Sequence, residues 1–390
     1  MQAEYYFDAK GGNMTDFFEV RNYLDELVKR GVPGCSTAIY LNGESVFSYC
    51  AGYADHDKTR LTSESDIYYI YSCTKPVTVT AVMQLIEQNK LKFEDPVCRY
   101  LPEFAEAYYL SEDLPVKVGT SMTIWHLLTM SAGLDYDING SHIRAARERY
   151  GDDATTRQIV SSFVEKPLTF KPGQQFLYSL CHDVLAAIVE VVSGKSYGEY
   201  LRENIFDPLG MNDTGFFPTE AQFSRMSDQY CMDGNQKITL MEKSQNVHRL
   251  APKYESGGAG LFSTLTDYGS FAAAMSCGGQ SIDGTRILKP ETIDLIRTSQ
   301  VSGFEKKNSF PYHMQGYEYG LGVRTLVDRG NGQPSSIGEF GWDGAAGAFI
   351  LMDPAVRVAI VYMQHVNDWP CLFGSMHEPL RDLSYKALGL

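Results

Sequence analysis

A mixed α/β domain drawn from both ends of the chain, with a mainly helical domain inserted between them, is the fold class the sequence predicts. Three patterns carry that expectation across the 390 residues. The start reads helix, then a two-strand hairpin. Strand-like runs are then scarce until residue 320, while helical spacings fill the middle. The last seventy residues return to apolar, β-rich runs and close on a helical pattern.

In order along the chain, Asp16 and Glu19 predict a capping box. Phe17, Val20, Tyr23, Leu24 and Leu27 then recur at helical spacing until Gly31 and Pro33 end the pattern. Residues 36–41 and 44–50 read as strands, and Asn42-Gly43 between them is the strongest short hairpin signal there is. A helix is expected over 77–87, with Val79, Val82, Met83 and Ile86 on one side; Pro76 is tolerated in a first turn, where its missing N–H costs little. Helical patterns at 124–128, 155–165 and 184–192, the last stopped by Gly194, occupy the insertion. Strands are expected at 320–326, 347–352 and 356–363, with a turn at Asp353-Pro354, before a closing helix over 375–388. The domain boundaries that follow are 14–80 with 257–390 for the α/β part and 81–256 for the helical part, with the active site between them. Residues 1–13 are left open as an extension or a part of the fold.

Composition narrows the function classes. A formal net charge of −14 runs against nucleic-acid binding, which needs a basic patch or stripe. Residues 1–29 contain acidic side chains and no apolar run of signal-peptide length, and no later run suits a membrane span, so a cytoplasmic protein without membrane attachment is expected. The eight cysteines are scattered, with no C-x-x-C pair, and reduced thiols are expected. The eight histidines form no H-E-x-x-H or other close pair, so no metal and no cofactor is expected.

Ser72-Cys73-Thr74-Lys75 is the feature richest in chemistry. Residues three apart on a helix meet on one face, which would set a hydroxyl beside an amine. Serine needs a base to become a nucleophile, and lysine is a base only when burial, a nearby cation or a helix N-terminus keeps it neutral. Chance alone supplies roughly one S-x-x-K in a chain of this length. Gly194-Lys195-Ser196-Tyr197-Gly198 competes as a G-x-S-x-G elbow, but the elbow requires a strand before its serine and the residues before Gly194 are helix-like. Gly257-Gly258-Ala259-Gly260 lacks the Lys-Ser/Thr of a phosphate loop and reads as a tight turn. Cys73 reads as a small buried side chain.

Several stretches together resemble the serine β-lactamase and penicillin-binding-protein superfamily, over residues 18–388. They are Ser72-Cys73-Thr74-Lys75, the run from Thr123-Ile124-Trp125-His126 to Gly133-Leu134, Pro172-Gly173 through Tyr178-Ser179, Asp207-Pro208-Leu209-Gly210-Met211, residues 257–264, and Phe340-Gly341-Trp342-Asp343-Gly344-Ala345-Ala346-Gly347. They occur in the family's order. The resemblance implies an α+β fold of the β-lactamase/transpeptidase kind, an antiparallel sheet flanked by helices with an inserted, mainly helical domain. It also implies Ser72 as nucleophile, Lys75 as its partner, and Tyr178 as the tyrosine of the Y-x-N motif, with a phenol pKa lowered by the lysine ammonium. The backbone N–H groups of Ser72 and Ala345 would form the oxyanion hole.

Two departures bear on substrate. Leu180 stands where the second motif ends in asparagine, and Trp342-Asp343-Gly344 stands where the third begins with lysine or histidine. Tryptophan cannot pair with the carboxylate that penicillins and D-alanyl peptides carry. The W-x-G form is similar to that of family VIII carboxylesterases, and implies that Trp342, Gly344 and Leu180 border a site for small, neutral esters. Asp343 is expected to face solvent or cap a turn, and Arg324 is a cation able to approach the site. The expected partner is a small-molecule ester or amide. A β-lactamase or D-amino-acid amidase or peptidase is the alternative within the same chemistry, and a non-catalytic binding protein is the alternative outside it.

Overall fold

The computed structural model describes residues 6–7, 14–233, 235, 237–301, 315–330, 332–369 and 376–390. Of the segment before residue 14, only Tyr6–Phe7 is described, paired antiparallel with Met14–Thr15. Helix α1 (Phe18–Lys29) buries Val20, Leu24 and Leu27 as the helical spacing predicts. Its start differs from the expected capping box. Asp16 Oδ1 accepts the Phe18 N–H at 2.8 Å, a local turn two residues long, and the residue that caps the helix is Phe17.

Strands β1 (Gly34–Leu41) and β2 (Glu44–Gly52) form the expected hairpin, and Asn42 and Gly43 both have positive φ (55° and 88°), the turn that follows the right-handed twist of the strands. Helix α2 (Thr74–Glu87) begins three residues earlier than its apolar spacing suggests, directly after a 3₁₀ turn at Tyr71–Cys73. It is no amphipathic surface helix, because every residue from Thr74 to Leu85 is buried. Helix α3 (Cys181–Ser193) packs along it and ends on Gly194, whose φ of 72° lets the chain turn left-handed. Ser196 then caps the short helix Tyr197–Leu201 in a reciprocal capping box with Glu199. No strand leads into Ser196, so the nucleophile-elbow alternative has no structural basis here.

After helix α4 (Leu265–Ser276) come β3 (Tyr317–Tyr319), β4 (Arg324–Leu326), β5 (Phe340–Asp343), β6 (Phe349–Asp353) and β7 (Val358–Gln364), then helix α5 (Glu378–Leu388). The run expected as one strand at 320–326 instead straddles a hairpin turn, closed by a Gly320 N–H bond to Val323 O and by Gly322 at φ 71°. The expected helix start at Ser375 lies outside the described residues. Two further hairpins, Tyr108–Ser111 with Leu114–Lys117 and Tyr230–Met232 with Ile238–Leu240, interrupt the middle of the chain.

The seven strands form one antiparallel sheet in the order β3-β4-β5-β6-β7-β1-β2. Val358, Ile360 and Tyr362 of β7 meet α1 and α5 on one face, while Ala359, Val361 and Met363 join the larger core with α4 on the other. Both faces are covered, which is why β7 reads as a continuous apolar run rather than an alternating one. This is the β-lactamase/transpeptidase-like fold that the sequence motifs imply. No helix among the described residues is long and apolar enough to cross a membrane.

Replacing Ser196 by Ala removes a cap and nothing near α2, so it is expected to cost about 1 kcal/mol of stability. Denaturant melts should read that loss while the catalytic rate stays at the wild-type value.

Candidate active site

Ser72 sits where a buried strand turns into a buried helix. Between Asp66 and Leu85 it is the single residue that is not buried. The chain reaches it through Tyr71, whose φ of 45° lies in the left-handed region that costs a side-chain-bearing residue on the order of 1–3 kcal/mol. Packing holds it there: Tyr71 is buried, and its hydroxyl donates to Gln229 Oε1 at 2.8 Å. The start of α2 is further stitched to residues 257–261. Ile70 N–H donates to Leu261 O at 3.0 Å, Leu261 N–H to Thr74 Oγ1 at 3.1 Å, and the Thr78 hydroxyl to Gly257 O at 2.6 Å.

One turn beyond Ser72, Lys75 is fully buried. Its ammonium donates to Gly258 O at 2.8 Å and to Ser72 Oγ at 3.2 Å. The turn read from Gly257-Gly258-Ala259-Gly260 therefore supplies an acceptor for the amine. Burial pushes the Lys75 pKa down from its ordinary value to about 7, against the opposing pull of the nearby Asp183 carboxyl. An amine in that range is neutral often enough to serve as a base.

Tyr178 completes the cluster from the segment leading into α3, its hydroxyl donating to Ser72 Oγ at 2.9 Å. Its ring lies between two others. Tyr136 stacks on it with centroids 5.3 Å apart and planes 4° apart, and Trp342 stacks at 5.6 Å and 20°. The Lys75 amine is 4.5 Å from the Tyr178 ring centroid. The expectation that lysine lowers the phenol's pKa is overturned: burial dominates and raises it, with the hydrogen bonds to Ser72 and Trp342 only partly offsetting the effect. Tyr178 thus carries its proton at neutral pH.

Trp342 lies on β5, 5% exposed, and its indole N–H donates to the Tyr178 hydroxyl at 3.3 Å while its ring meets Tyr319 edge-on at 5.4 Å. It is a wall of the site held by Tyr178, less a loose rim residue. Gly344 follows it against the 3₁₀ turn, where an added Cβ would lie 2.4 Å from Ile70 O. Ala345 is exposed in the turn from β5 to β6, which is closed by the Gly347 N–H bond to Gly344 O.

Asp343 departs from expectation. It is 5% exposed rather than solvent-facing, and its Oδ1 lies 3.0 Å from His377 Nδ1. His377 Nε2 lies 3.1 Å from Gly347 O, so one imidazole ties both ends of the turn that carries Ala345. Arg324 does not supply a cation at the surface of the site. It is wholly buried in the sheet, donating to Ile350 O at 3.0 Å and facing Glu339 at 3.5 Å and Asp343 at 3.7 Å. Leu180 is 5% exposed and lines a small cavity with Leu134, His142 and Phe163.

Ser72, Lys75, Tyr178 and Trp342 are thus linked in one cluster by side-chain contacts, while Leu180 is not part of it. Sequence reasoning missed Tyr136, Asp183 and the Gly258 carbonyl. Cys73 is buried, as expected, with its thiol pushed up by burial. Among the described residues no cluster of three or more His, Cys, Asp or Glu side chains is arranged to hold a metal ion.

The model of the family described as Beta-lactamase matches residues 20–373. Protein Rv1367c of Mycobacterium tuberculosis is 30% identical over 331 residues, covering 81% of this chain and 82% of its own. The esterase EstB of Burkholderia gladioli is 27% identical over 384 residues, 92% of each chain. Among solved structures, EstCE1, described as a hydrolase with promiscuous acyltransferase activity, superposes with a TM-score of 0.75 at 24% identity, over 94% of this chain and 97% of its own.

The close approach of Gly344 to Ile70 can be tested directly. Gly344→Ala is expected to destabilise the protein by about 1–3 kcal/mol through overpacking, read as a lowered denaturation midpoint.

Proposed function

The chain belongs to the β-lactamase family, and from that premise we propose that this serine hydrolase opens small, uncharged carboxylic esters through an acyl-Ser72 intermediate. The observation that carries the reading is the single accessible hydroxyl of an otherwise buried stretch, held 3.2 Å from a buried amine and 2.9 Å from a phenol. In this reading residues 14–80 with 257–390 form the sheet-bearing part and residues 81–256 the mainly helical part, and the site lies where they meet.

Neutral Lys75 takes the Ser72 proton as Oγ attacks the ester carbonyl. The N–H groups of Ser72 and Ala345 receive the charge that develops on the carbonyl oxygen. When the C–O bond breaks, Tyr178 gives its proton to the departing alkoxide and is reprotonated from the Lys75 ammonium. Water, or an acceptor alcohol, then attacks the acyl carbonyl and loses its proton to the same base, releasing the acid or a new ester and restoring Ser72. The preference for esters over lactams and D-alanyl peptides is supported by Trp342 in place of a lysine and by the burial of Arg324 within the sheet. The esterase EstB among the relatives agrees with it.

Intact-mass measurement after fluorophosphonate treatment should show one adduct on the wild type and none on Ser72→Ala, whose ester turnover should fall on the order of 10⁴-fold or more. An unlabelled wild type would sink the assignment of the nucleophile. In a panel of p-nitrophenyl esters, nitrocefin and D-alanyl peptides, turnover is expected with the esters; strong nitrocefin hydrolysis without esterase activity would overturn the substrate class.

The pH dependence follows from the two shifts. Because the base is neutral Lys75, with its pKa held down to about 7, kcat/KM for an uncharged ester should rise as pH increases through about 7 and level off above it. Tyr178, shifted upward, stays protonated across that range and should add no second limb.

A further inference from the structure

Across Gly258 from Lys75 lies a carboxyl group that the mechanism above does not use. Asp183, in the first turn of α3, is 1% exposed. Two buried hydroxyls donate to the same oxygen: Tyr254 to Oδ1 at 2.7 Å and Ser256 to Oδ1 at 2.6 Å. Its other oxygen faces Gly258, where an added Cβ would lie 2.7 Å from Asp183 Oδ2 and 3.7 Å from Lys75 Nζ. Gly258 is therefore a spacer that lets carboxyl and amine approach with no side chain between them.

We propose that Asp183 is a positioning residue for the proton on Lys75: its carboxylate, set across Gly258 from the amine, governs how readily Lys75 becomes the neutral base. The inference rests on the role given to Lys75 under the proposed function. Two converging O–H donors suit an ionised carboxylate, which only accepts. The other titratable groups acting around the amine carry no charge at neutral pH. Burial keeps His182 and His248 below their ordinary range and raises Tyr136, Tyr178, Cys73 and Cys181 above theirs. Asp183 is thus the one carboxyl placed to act on Lys75 among the described residues; burial raises it above the ordinary carboxylate range, and the two hydroxyls and Lys75 oppose that rise. Removing the negative charge leaves desolvation of the ammonium unopposed, so the amine should lose its proton at lower pH.

Lysine-selective ¹³C NMR of the whole protein reads this directly, with the Lys75 signal assigned by its loss in Lys75→Met. In Asp183→Asn the Lys75 midpoint should fall by roughly one pH unit. An unmoved midpoint in the folded variant overturns the proposal. If Asp183→Asn does not fold, Tyr254→Phe, which removes one donor from Oδ1 and leaves the carboxylate charge less compensated, should move the midpoint upward by a smaller amount; no movement there likewise overturns it. The acid limb of kcat/KM should move in step with the NMR midpoint. A shifted midpoint with an unmoved limb upholds the influence of Asp183 and instead overturns Lys75 as the base.

Discussion

A primary amine with no exposed surface is costly to keep charged, and the placement of Lys75 organises much of what surrounds it. For the amine to be buried, α2 must be enclosed along nearly its whole length, which requires α3 on one side and the sheet with α4 on the other. The amine then needs an acceptor, and Gly258 O supplies one from a turn that is itself bonded to the first residues of α2. Ser72 has to break the surface one turn earlier. The chain accommodates both demands with a left-handed residue at Tyr71, held by burial and by Gln229.

The sheet contributes in a different way. Strand β5 brings Trp342 face to face with Tyr178 and, three residues on, exposes Ala345 in the following turn. Both depend on polar contacts behind the strand. His377 bridges Asp343 and Gly347, and Asp343 lies near Arg324, so polar contacts brace the turn. Aromatic stacking fixes the ring of Tyr178, and the hydrogen bonds fix its hydroxyl. A phenol held in this way loses little further freedom when a substrate arrives.

The parts of this arrangement encoded by local spacing were legible in the sequence. A serine and a lysine three residues apart need only a helix to meet, and the Asn42-Gly43 turn needs only its two strands. Ordered motifs gave Tyr178 and Trp342. What stayed hidden depends on tertiary packing. Asp183 and Gly258 reach Lys75 from more than a hundred residues away, and no spacing rule joins them to it. Asp343 resembles a turn acid because its partner, His377, lies 34 residues further along. Strand β5 is brief, and a glycine and an aspartate within it blur any alternation. The direction of the Tyr178 shift stayed hidden for the same reason, since desolvation is a property of the packed protein and not of neighbouring letters.

Strand β1 pairs on one side with β2, its immediate successor, and on the other with β7, more than three hundred residues later. During synthesis at about 5–20 residues per second, that second edge waits tens of seconds or longer for its neighbour. Throughout that interval the nascent chain presents an apolar strand with unsatisfied N–H and C=O groups, the kind of edge that pairs with other chains. The helical middle can form beforehand, but the sheet cannot close early. Crowded or rapid expression should therefore favour aggregation through this hairpin long before Ser72 reaches its final setting.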